Sequence, residues 1–108
     1  MVVTLAERKS RAVARLKTGY EAATVALAAY AAAHGGRFVV FGSFARGDIH
    51  PESDCDVMVD FRETLVRDAR DAAEAILRDH GLDPDVHLLW EVSDSLMQRI
   101  LRDGIALP

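Results

Sequence analysis

The chain has one cysteine, no excess of basic residues and no long apolar run. A lone thiol, Cys55, cannot close an internal disulfide and implies nothing about zinc, so a reducing cytoplasm is the expected setting. Lys and Arg number 13 against 17 Asp and Glu, a formal charge of −4. That balance argues against direct nucleic-acid binding, which leaves a basic footprint. The Ala-rich stretch from Ala22 to Ala33 is too short and too weakly apolar to cross a bilayer, and it carries Thr24 and Tyr30. No targeting segment, internal repeat or linker stands out, so a soluble chain is expected.

What is present points to one folded domain. Half of the 108 residues are apolar, enough for a single core with little room for a separate substrate module. The expected organisation is one domain over 1–108, with a helical segment at 1–34 and a motif-bearing core at 37–104.

The helical segment contains two capping patterns, Thr4-x-x-Glu7 and Thr18-x-x-Glu21. They predict one helix from Leu5 to Leu16, with Leu5, Ala12, Val13 and Leu16 inward, and a second from Tyr20 to Ala33. A single helix running through Gly19 is the alternative. Phe38–Phe41 reads as a buried strand, Ser43–Arg46 as a brief helical turn and Val57–Phe61 as a second strand. Alternation along that strand places Cys55, Val57, Val59 and Phe61 on one face, with Asp54, Asp56, Met58 and Asp60 on the other. A third helix carries Leu65, Ala69, Ala73 and Leu77 and closes at Gly81. Val86–Trp90 is expected as the third strand. Ser93 caps a last helix with a stripe of Leu96, Met97, Ile100 and Leu101. The expected class is α+β, with about three strands in a mixed sheet flanked by helices, in the order α-α-β-β-α-β-α.

Residues 42–56 carry the chemistry. Gly42 permits a sharp turn and a close approach to a ligand. Ser43 adds a hydroxyl beside backbone N–H groups that suit phosphate oxygens. Asp54 and Asp56, two apart on an extended segment, project from one face. Paired carboxylates of this kind suit Mg²⁺, which takes a few carboxylate oxygens together with water and substrate phosphates. The stretch reads as a nucleoside-triphosphate site.

The run Gly42-Ser43-Phe44-Ala45-Arg46-Gly47 through Ser53-Asp54-Cys55-Asp56 resembles the G-S-x-A-R-G … S-D-x-D pattern of minimal nucleotidyltransferases, small members of the DNA polymerase β-like superfamily. The likeness extends over residues 37–61, and Arg99 to Gly104 looks like the closing helix of many such proteins. It implies that an acceptor hydroxyl attacks the α-phosphate of a nucleoside triphosphate and pyrophosphate leaves, with two Mg²⁺ ions clamping the oxygens. Carried over by position, Asp54 and Asp56 are metal ligands and catalytic, while Gly42 and Ser43 hold the triphosphate. Arg46 either meets a phosphate or pairs with Asp48 or Glu52. The family takes a third carboxylate from the next strand. Spacing from the last helix favours Asp85 there, whereas the flanking apolar pattern favours His87. The assignment adopted is Asp85 as the third metal ligand and catalytic group.

Proteins of this family are commonly antitoxins paired with HEPN-domain toxins. The resemblance therefore implies transfer of AMP from ATP to a tyrosine of such a toxin, within a hetero-oligomer. Two other readings stand beside it: a catalytically weak fold that neutralises a partner by contact, and transfer to a small-molecule hydroxyl. Elsewhere, Asp60 reads as a solvated or Arg-paired carboxylate, His50 as a surface histidine and Ser53 as a loop-fixing residue. Cys55 reads as buried and inert.

Overall fold

Thr4 opens the first helix, α1 (Leu5–His34), its hydroxyl accepting from the Glu7 amide at 3.1 Å. This computed structural model describes residues 2–107. The helix runs unbroken for 30 residues, roughly 45 Å at 1.5 Å per residue, and stops at Gly35. The expected pair of N-terminal helices is thus one helix. Thr18 caps nothing: its hydroxyl donates back to the Ala14 carbonyl at 3.1 Å, inside the helix. Gly19 has a tertiary purpose. A Cβ at that position would fall on the backbone carbonyl oxygen of His80, which follows the helix α3 (Val66–Asp79). The glycine lets α1 and the end of α3 touch, and its conformational freedom is not used to break the helix.

The sheet has four strands: β1 (Arg37–Phe41), β2 (Asp54–Asp60), β3 (Asp83–Leu88) and the two-residue β4 (Ile105–Ala106). Their order is β3-β2-β1-β4, with β1 antiparallel to β2 and β4, and β2 parallel to β3. Between β1 and β2 lies the short helix α2 (Gly42–Arg46). A 3₁₀ turn (Leu89–Glu91) leads to α4 (Asp94–Asp103), which Ser93 caps by accepting from the Leu96 amide at 3.2 Å. The α+β class with a mixed sheet holds, and β4 adds a fourth strand.

Pleating divides the sheet as the alternation requires. Phe38, Val40, Cys55, Val57 and Val59 face a core closed by α1 (Ala23, Leu27, Ala31) and α3 (Val66, Ala69, Ala73, Leu77). On the other face Val39, Phe41 and Met58 pack with Ile100, Leu96 and Met97 of α4 and its approach. Helix α4 covers only part of that second face, and the site lies in the part left open.

Three further expectations are corrected. β3 begins at Asp83 because its pairing with β2 starts at Asp54↔Asp83, and it ends at Leu88. Leu89 and Trp90 therefore leave the sheet, and Trp90 is 57% exposed. Leu101 is 78% exposed, pointing off the α4 stripe, and Leu5 is 67% exposed because α1 begins beyond the body that buries it.

Candidate active site

Phe41, the last residue of β1, pairs with Asp56 of β2. The chain turns immediately afterwards at Gly42, whose φ of 71° lies in the left-handed region. A Cβ at position 42 would collide with the Asp56 carboxylate. Gly42 is therefore required both by its own backbone and by the acid beside it. Ser43 and Arg46 follow on α2.

The second acid comes from register. In the parallel pair, Asp56 stands opposite Asp85, and Met58 opposite His87, so Asp85 and His87 share the face of the β2 acids. Ligand atoms of Asp56, Asp85 and His87 all lie within 4.8 Å of one another. His87 Nε2 is 3.2 Å from Asp85 Oδ1, and the His87 ring tilts against Phe41 with centroids 5.5 Å apart. Asp54 lines the same cavity, outside that tight group.

The cavity is open, with a volume of about 390 Å³. It brings together all six residues singled out in the sequence: Gly42, Ser43, Arg46, Asp54, Asp56 and Asp85. His87, the alternative to Asp85, lines it too. The far wall was not anticipated. Leu96, Arg99 and Asp103 of α4 complete the lining, spaced i, i+3 and i+7 on one helical face. That spacing was the available signal. What sequence could not supply was which face of α4 turns toward the β2 acids. Arg46 pairs with this wall, Nη1 to Asp103 Oδ2 at 3.7 Å, and not with Asp48 or Glu52. Arg102 also holds Asp103, with two contacts of 3.1 Å.

Electrostatics mark the centre as short of positive charge. The Asp56 carboxyl is pushed up to about 7, first by burial and then by its hydrogen bond with Asp85 and the charge of that neighbour. Asp54 adds to the shift and His87 opposes it. Burial and like charge both disfavour the ionised form, and a cation placed here would favour it. The donors fit such a group: Asp54, Asp56 and Asp85 offer the oxygens a hard divalent ion prefers, and the imidazole of His87 is the poorer ligand.

Residues outside the cavity have ordinary roles. Asp60 pairs with Arg37 at 2.7 Å, and the Ser53 hydroxyl accepts from the His50 amide at 2.8 Å and so fixes the loop. His50 is exposed, 3.4 Å from Asp48. Cys55 is fully buried, and burial pushes its thiol up to about 12, so it stays protonated.

The family model of the nucleotidyltransferase domain matches residues 28–107, a span that includes every residue of this cavity. The chain belongs to the nucleotidyltransferase domain family. Among solved structures, it is similar to a minimal nucleotidyltransferase at 31% identity and a TM-score of 0.61, covering 83% of this chain and 93% of the other. It is also similar to a toxin–antitoxin structure with AMP-PNP, at 30% identity and a TM-score of 0.56. A mutant of the toxin–antitoxin MntA-HpeT matches at 27% identity with the same TM-score. In both toxin–antitoxin cases the match covers 67% of this chain and spans 59% of the other. No curated protein matches the chain significantly. Among the described residues, no helix of this nucleotidyltransferase domain is long and apolar enough to cross a membrane.

Proposed function

We propose that this chain is a Mg²⁺-dependent nucleotidyltransferase that transfers AMP from ATP to a tyrosine hydroxyl of a HEPN-type toxin, and so acts as the antitoxin. The observation that carries the reading is the placement of Asp56 beside Asp85 in strand register, directly against the Gly42-Ser43 turn. Family membership and the two toxin–antitoxin neighbours support it. The pair of Asp-to-Glu exchanges named for the MntA-HpeT mutant, two positions apart, matches the spacing of Asp54 and Asp56.

Asp54, Asp56 and Asp85 would hold the metal. When bound, it neutralises charge on the attacking and leaving oxygens of an in-line displacement. Ser43 and the backbone of the Gly42 turn bind the triphosphate. The acceptor oxygen forms its bond to the α-phosphorus as the bond to the pyrophosphate oxygen breaks. Asp85 takes the hydroxyl proton, and His87, 3.2 Å away, orients that carboxylate. The site opens outward, which favours an acceptor residue presented by another protein.

Intact-mass spectrometry of the toxin after incubation with this chain, ATP and Mg²⁺ tests the proposal. The expected result is a toxin heavier by one or more adenylyl groups. A toxin that is neutralised but unmodified would instead establish inhibition by contact.

A further inference from the structure

Four aspartates and two arginines line the cavity, and the two arginines stand in different circumstances. Arg46 faces Asp103 at 3.7 Å, and Asp103 is gripped as well by Arg102 through two contacts of 3.1 Å. The cluster holds Asp103 below the usual carboxylate range, first through the Arg102 hydrogen bond. Arg46, Asp103 and Arg102 thus form an ionic latch between α2 and α4, in which Arg46 already faces a carboxylate. Arg99 has neither an ion pair nor a side-chain hydrogen bond among the described residues, although it lines an acidic cavity. It sits one turn before Asp103 on the same face of α4, across from the β2 and β3 acids.

The reaction gives that free cation a task. Asp54, Asp56 and Asp85 would hold divalent metal, whose charge would favour the reacting α-phosphate beside the sheet. The β- and γ-phosphates, held by Ser43 and the Gly42 turn, would then lie in the same cavity as the facing wall of α4. On that wall Asp103 is paired with Arg46 and Arg102, and a guanidinium presents its paired N–H donors in a geometry suited to phosphate oxygens.

We propose that Arg99 binds the β- and γ-phosphates of the nucleotide and stabilises the pyrophosphate as it leaves. This rests on the nucleotidyl-transfer reading above and adds to it the residue that selects a triphosphate over a monophosphate. Arg46 is assigned to the latch, where it holds α4 in register with the Gly42 turn.

Titration calorimetry with Mg²⁺ and AMP-PNP, and in parallel with AMP, tests the assignment on the full chain. Arg99→Gln should weaken AMP-PNP binding by about tenfold or more, as expected for the loss of one charge-assisted contact. Its AMP affinity and melting temperature should match the wild type, and Arg99→Lys should recover part of the loss. An unchanged AMP-PNP affinity, or an equal loss for AMP and AMP-PNP, overturns the role of Arg99 while leaving the nucleotidyl-transfer reading in place. A wild-type chain that binds no AMP-PNP in the presence of Mg²⁺ overturns both.

Discussion

Asp56 and Asp85 meet because β2 and β3 run parallel with these two residues in register, so two acids 29 positions apart become neighbours. Burial first, and then the hydrogen bond and charge of Asp85, raise the Asp56 carboxyl to about 7 from an ordinary 3.8. Between those values the folded chain keeps a proton that the unfolded chain has released. The metal-free protein should therefore lose stability as pH rises from about 4 to about 7, then level off. Asp56→Asn removes this dependence. The variant should melt higher than wild type at pH 8, with the gap closing toward pH 4, and should show no Mg²⁺-dependent transfer. Thermal melts across pH in chelator would check the first, and a transfer assay the second. A variant that melts lower at pH 8 would contradict the shift.

The same pair predicts how the two β3 candidates rank. Asp85→Asn should reduce turnover by roughly two or more orders of magnitude, through the loss of a metal oxygen and of the proton acceptor. His87→Ala removes only a neighbour that orients Asp85, and should cost about tenfold or less. The reverse ranking in steady-state kinetics would place His87 at the catalytic position.

Gly42→Ala combines two penalties. An L-residue at a φ of 71° is strained by roughly 1–2 kcal/mol, and the added methyl displaces the Asp56 carboxylate. Denaturant unfolding should register a loss of at least that size. Transfer should fall far more than stability does, because the displaced group is the metal ligand proposed above.

Gly19→Ala sets local against tertiary forces. In an exposed helix the change would stabilise by about 1 kcal/mol. Here the new methyl meets the His80 carbonyl where α1 crosses the end of α3, so the variant should be less stable than wild type. A higher melting temperature would mean that this contact relaxes at no cost.

These residues also mark how far the sequence could be read. Gly42, Ser43, Asp54 and Asp56 are close in the chain, and their spacing on a turn and a strand fixes their common side, so they were legible. Asp85 was legible only as one of two candidates, because its place depends on strand register, which no local pattern records. Arg99 and the Arg46–Asp103 pairing depend on how α4 rotates against the sheet, a matter of packing Ile100, Leu96 and Met97. Gly19 was misread for a related reason. Its missing side chain serves a contact 61 positions away, while local propensity alone suggests a break. Strand β4 has only two residues, too few to show a periodicity.

Helix α1 is continuous in hydrogen bonding and discontinuous in support. From Leu16 onward it lies against the core, and its Ala23, Leu27 and Ala31 are buried; toward Leu5 no side chain joins that core. A helical stretch of about a dozen residues is only marginally stable by itself in water. Amide exchange along this one helix should therefore fall into two regimes, slow from Ala23 to Ala31 and fast before Val13. The first three turns carry four of the five basic residues found before Thr18, so this basic stretch coincides with the part of α1 expected to exchange fastest. Whatever binds there would set the order of those turns, and exchange rates in that stretch would report its arrival before any change reached the cavity.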